Sequence, residues 1–249
     1  MNTATPKKPG ALAFSVTAWG DVRDALTWLF KPALITLLLL VMLETVKALI
    51  MPVASRTVDF ALKRSSYEAI QAFLMTPYAI AVHRFVILGE VTMGYRIAPA
   101  EPRFRRFFGW SLAFLVLSNA SWALTLHEQT TLENILGVAL YLALMVVGLR
   151  LMVLFPAIAV DAPGANWRQA IADTDGHAWH IFLIIMATML PFLIVAVAGK
   201  VILQGSIPGD AVIAFSAFDA VVGLVGWTLG VVIASRTYQW IAVGVERRG

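Results

Sequence analysis

The stretch ALITLLLLVMLETVKALIMPV, residues 33 to 53, decides the fold. A helix needs ~20 predominantly apolar residues to cross the ~30 Å of bilayer hydrocarbon, and this run supplies them with only Glu44 and Lys47 as charges. Hydrocarbon offers no water to unpaired backbone groups, so only helices and closed barrels span it. Barrel strands would read as ~10-residue alternations of apolar and polar residues, a pattern the sequence lacks. Five further apolar runs follow, at about 70–92, 107–126, 133–158, 180–200 and 211–235. The expected fold is therefore all-α, a polytopic membrane bundle of six transmembrane helices.

Composition agrees. Apolar residues make up 59% of the 249 and charged residues 14%, against roughly 45–50% and about 25% in soluble domains. The first 31 residues contain Lys7, Lys8, Arg23 and Lys31 but no apolar core with a small-residue cleavage site. The first span is thus expected to persist as an anchor, not to leave as a signal peptide. With no cysteine in the chain, disulfides, thiolate catalysis and Cys-ligated metals are excluded.

The net charge of +4 is explained by membrane orientation. With both termini cytoplasmic, the inner segments hold twelve basic residues: Lys7, Lys8, Arg23, Lys31, Arg96, Arg103, Arg105, Arg106, Arg168, Arg236, Arg247 and Arg248. The outer loops hold four, Arg56, Lys63, Arg64 and Lys200. That bias predicts both ends inside, as in a bacterial inner-membrane protein. Residues 1–31 then form a cytoplasmic segment, 32–240 the six-helix transmembrane domain and 241–249 a cytoplasmic tail. Within the first segment, Trp19, Val22, Leu26, Leu29 and Phe30 share one helical face, with Asp21, Asp24 and Trp28 opposite. This pattern fits an amphipathic helix lying in the interface or on the protein's own inner face.

Charges inside the apolar runs are the candidate functional residues, because intramembrane ionisable groups are costly. Glu44 and Lys47 are i, i+3 neighbours and are expected to neutralise each other. Arg84, in AVHRFVILGE (81–90), is six positions from Glu90; a helix continuing through both sets them on different faces, so each is expected to reach the inner boundary separately. Arg150 and Arg236 stand like Arg84 toward the inner ends of even-numbered spans, a weak threefold echo that boundary snorkelling also explains. Asp219 is expected to approach Lys47 or a polar patch of Ser118, Asn119 and Ser121. On the same side of the last span lie Gly223, Gly226, Gly230 and Ala234, with GWTLG (226–230) matching GxxxG, so this face is predicted to touch another helix closely.

The segment RLMVLFPAIAVDAPGANWRQAIADTDGHAWHIFLI, beginning at Arg150, resembles one in bacterial multi-pass proteins related to the membrane domain of glycerophosphodiester phosphodiesterases. The likeness rests on Pro156 and Ala157 closing a span, a short amphipathic helix from Trp167 to Ala172, and Gly176 and Trp179 leading into the next span. It implies the membrane part alone, since the soluble hydrolase domain has no room in 249 residues.

Near the end of that segment, Asp173, Asp175, His177 and His180 sit close in sequence. A helix start at the membrane surface, capped by Thr174 or Asp175, accounts for them better than a metal site. No nucleophile elbow, HExxH or glycine-rich phosphate loop occurs. No catalytic residue, metal or cofactor is expected. The reading is a non-enzymatic accessory or structural membrane protein that associates with lipid or another membrane complex. The alternative is a small-solute or ion-coupled transporter using the embedded charges. Expected partners are membrane lipids, anionic ones included at Arg103, Arg105 and Arg106, and either another membrane complex or a second copy meeting Gly226 and Gly230. Nucleic acid is not expected, because the basic run is short and orientation already requires it.

Overall fold

The computed structural model describes residues 9–51, 57–123, 131–206 and 211–246. Among the described residues all regular structure is helical: α1 (Ala11–Trp28), α2 (Phe30–Ile50), α3 (Val58–Leu88), α4 (Pro102–Ala123), α5 (Thr131–Leu151), α6 (Leu154–Ala159), α7 (Trp167–Asp173), α8 (Ala178–Ser206) and α9 (Val212–Glu246). Five stretches are long and apolar enough to cross a membrane: Phe30–Ile50, Asp59–Leu88, Ile135–Ala159, Ala178–Ser206 and Val212–Ile241. The third predicted span, 107–126, falls on α4, which is not one of the five; its first turn holds Arg103 and Arg105, and residues 124–126 lie outside the described ones.

The helices sort by how much of each faces outward. In the most apolar windows of α5 and α8 only 17% of residues are buried, against 44% in α3 and α9. Leu142, Val146, Leu193, Ile194 and Val197 stay uncovered. Apolar surface so extensive and so exposed marks a surface made for an apolar surrounding. α9 packs against α2, α3 and α1, and forms the centre of the bundle.

Side chains of α3 and α9 join in three rungs. The Tyr78 hydroxyl meets Thr228 Oγ1 at 2.8 Å, His83 Nδ1 meets Ser235 Oγ at 2.7 Å, and Gln239 Nε2 donates to the Val86 carbonyl at 3.3 Å. Thr228 and Ser235 each donate their own proton one turn back, to Leu224 and Val231. With those protons so placed they accept from the α3 groups, and because the rungs rise in the same order on both, the two helices run the same way. Buried polar groups paired in this manner fix a helix pair's register.

Two long helices contain an internal proline, and another segment reaches the freed carbonyl of one and a neighbouring carbonyl of the other. Pro191 in α8 has no N–H to give the Ala187 carbonyl, and Ser15 Oγ of α1 reaches that oxygen at 3.5 Å. Pro77 in α3 loosens the ladder in the same way, and the Tyr95 hydroxyl, from the connection after α3, donates to the nearby Leu74 carbonyl. Burial pushes the Tyr95 phenol up to about 12.

α1 packs on α8 and α9 through Phe14, Ala18, Val22, Ala25 and Leu29. This departs from the predicted apolar face. Val22 and Leu29 belong to it, Trp19 and Leu26 are partly covered, and Phe30 is exposed as the first residue of α2. Asp21, expected on the solvent side, is held by Arg236 through contacts of 2.6 Å at both carboxylate oxygens.

Candidate functional site

The glycines of α9 locate the site. A Cβ at Gly226 would stand 3.0 Å from Phe192 of α8, one at Gly230 3.5 Å from Met189, and one at Gly223 would meet nothing within 4 Å. The predicted close helix contact is thus replaced by side chains of α8 reaching toward α9 at two positions and by open space at the third. Beside these side chains lies a cavity of about 1200 Å³ bounded by α3, α4, α5, α6, α8 and α9, with Gly226, Gly230 and Ala234 in its wall. Small residues hollow this face of α9 where the sequence suggested they would close it. The cavity exceeds the ~300–1,000 Å³ of ordinary small-molecule pockets.

Its wall changes character along α3. Toward the start of α3 it carries Arg64, Glu68 and Gln71, faced by Ser118 and Asn119 of α4. Arg64 Nε donates to Glu68 Oε1 and Asn119 Nδ2 to Glu68 Oε2, both at 2.8 Å. Phe114, Leu115, Val138, Phe192 and Leu193 make the middle apolar. At the far end stand His83, Ser111, Phe107 and Phe155, the two phenylalanine rings meeting edge to face at 5.0 Å. Glu68 and His83 are fifteen residues apart on one helix, so the cavity follows α3 for ~22 Å. That length is most of the hydrocarbon thickness.

The embedded charges lie elsewhere and are paired. Glu44 and Lys47 form the expected ion pair, to which Tyr67 of α3 adds a hydroxyl on Glu44 and a ring under the Lys47 ammonium, 4.9 Å away. Asp219 meets neither Lys47 nor the α4 patch. Lys200 Nζ holds both of its carboxylate oxygens at 2.8 Å, because α8 continues to Ser206 and carries Lys200 within a helix instead of a loop. Of the proposed patch, Asn119 serves Glu68, and the Ser121 side chain lies outside the described residues.

Arg84 and Glu90 are brought together, contrary to the expectation from helical spacing. α3 stops at Leu88 and Gly89 takes a left-handed conformation (φ 69°) that turns the chain back. Glu90 then accepts Arg84 Nε and Nη2 at 2.7 and 2.6 Å. Arg84 Nη1 also donates to the Ala159 carbonyl at 3.1 Å and stands 3.8 Å from Asp161, which Arg103 of α4 clasps as well. That clasp holds the Asp161 carboxyl below the usual carboxylate range. Arg150 donates to the Ile171 carbonyl at 2.9 Å and to Asp175 at 2.8 Å. All three echo arginines, 84, 150 and 236, thus grip carboxylates of their own chain.

The acidic and histidine cluster is dispersed. Asp175 serves Arg150 and does not cap α8, while Thr174 is buried against Ala170 and Ile171. His177 and His180 both set their rings edge-on to Trp240 and donate to the carbonyls of Asp175 and Pro9, at 2.7 and 2.9 Å. Among the described residues no three His, Asp or Glu side chains are grouped to hold a metal.

Sequence reasoning passed over Glu68, Gln71 and Ser235. Glu68 follows Arg64 at i+4, a visible pair, but its place beside a cavity depends on how α4 and α5 stand away from α3. No family model, curated protein or solved structure matches the chain.

Proposed function

We propose that this chain is a non-enzymatic, accessory or structural protein of the bacterial inner membrane that holds a lipid-like amphiphile in the cavity along α3. In this reading it crosses the membrane six times with both termini cytoplasmic, α4 being the sixth span and α1 lying at the inner interface. The likeness of residues 150–182 to the membrane domain of glycerophosphodiester phosphodiesterases enters as a proposal about the membrane part alone.

The observation that carries the reading is the cavity: apolar through its middle, polar at one end around Glu68, and as long as much of a lipid chain's path through the bilayer. The other class of function, ion-coupled transport, would use Glu44, Lys47 and Asp219. These are neutralised by each other and by Lys200, and none lines the cavity, which favours binding over passage.

The test is extraction of the full chain from membranes in a mild detergent, followed by mass spectrometry of what remains bound. The expected result is one lipid-like molecule per chain in the wild type and its loss in Gly226→Leu, with helical content unchanged. Equal lipid content in both proteins overturns the reading.

A further inference from the structure

The end of the cavity near His83 carries a chemical requirement. His83 is 1% exposed and lines the cavity wall. Its Nδ1 lies 2.7 Å from Ser235 Oγ, whose proton goes to the Val231 carbonyl at 2.9 Å. In the tautomer that keeps both contacts, Nδ1 donates to Ser235 and the opposite ring nitrogen, Nε2, is an acceptor. No hydrogen-bond partner for Nε2 occurs among the described residues. Ser111, also in the cavity wall, spends its proton on the Phe107 carbonyl at 3.0 Å and offers lone pairs. The neighbouring walls, Phe107, Phe155 and Ala234, give no side-chain donor. A buried acceptor facing apolar surroundings is costly unless something donates to it.

We propose that the molecule held in the cavity is a neutral, long-chain hydroxyl compound, a lipid alcohol or phenol, whose hydroxyl donates to His83 Nε2 while its chain lies along the apolar middle of the cavity. This rests on the lipid-binding reading above and adds the chemistry of the ligand. A diacyl lipid whose headgroup has acceptors but no donor leaves Nε2 as it was, so the site discriminates against it. The edge-to-face rings of Phe107 and Phe155 suit a planar hydroxylated headgroup equally well.

The experiment places the full chain in phosphatidylcholine nanodiscs containing equal mole fractions of hexadecanol, its methyl ether and hexadecane. Retained molecules are counted by native mass spectrometry. Wild type should retain hexadecanol about tenfold over the ether and the alkane, the effect of one buried hydrogen bond made or missed. His83→Phe should bring that ratio to about one, and Gly226→Leu should remove all three probes. Should His83→Phe fail to fold, the comparison of alcohol with ether in the wild type decides alone. Equal retention of the three probes, or phosphatidylcholine held in their place, together with a loss in Gly226→Leu, overturns the hydroxyl inference and leaves the lipid reading standing. No retained molecule at all, or retention indifferent to Gly226→Leu, overturns both.

Discussion

Lys200 and Asp219 face each other across two contacts of 2.8 Å within apolar helices, and the pair is best understood by removing one partner at a time. Asp219→Asn strands an ammonium in hydrocarbon, a loss of about 2.5–3.5 kcal/mol on insertion scales. Lys200→Met combined with Asp219→Asn removes both charges and should recover most of that loss. Unfolding in mixed micelles measures Asp219→Asn, Lys200→Met and the double; singles that simply add up in the double would show the two groups act independently. The pair also shows where residue-level reading of the sequence ends. Glu44 and Lys47 are legible as partners because one helix fixes their spacing, whereas Lys200 stands at the edge of an apolar run, where run length alone ends the span. Arg84 and Glu90 failed for a related reason. Helical geometry separates them, but Gly89 ends the helix first, and a lone glycine near the end of an apolar run gives no sure sign of which residue it will stop at.

At the scale of elements, α9 was legible as a helix with one side of small residues, but what that side faces was not. A GxxxG pattern states that a surface is flat and small; whether a neighbour fills it with backbone, with rings or not at all depends on the partner helix. Phe192 and Met189 of α8 provide the answer here. The order of tolerance is therefore expected to differ from that of a tight helix dimer. Gly226→Ala must displace the Phe192 ring by a few tenths of an ångström and should be the least tolerated of the three. Gly230→Ala should be nearly neutral, and Gly223→Ala neutral or stabilising by up to about 1 kcal/mol through helix propensity. Thermal unfolding of the three in one detergent checks the order; a common large loss would restore the close-packed reading of the stripe.

For the whole molecule, the all-helical, lipid-compatible character followed from composition and run length, because the medium itself dictates both. The number of crossings did not follow so directly, since α4 mixes arginines and aromatic rings at its start with Ser118 and Asn119 farther on. The cavity was not legible at all: it is a property of how six helices stand apart, and no one of them announces it. The absence of native cysteine makes the crossing pattern open to measurement. Single cysteines replacing Thr57, Glu101 and Leu132 should react with an impermeant thiol reagent from the outside, the inside and the outside respectively if α3 and α4 both cross. Labelling of positions 101 and 132 from the same side would leave α4 on one face of the membrane.

The clasp between Asp21 and Arg236 has a consequence in time. Its two partners are 215 residues apart, so a ribosome adding ~5–20 residues per second delivers the arginine roughly 10–40 s after the aspartate. Until then the first helix lacks its mooring to α9. α1 is thus synthesised well before the helix whose arginine fastens it, and a chain cut short before α9 would leave that early segment held chiefly by α8.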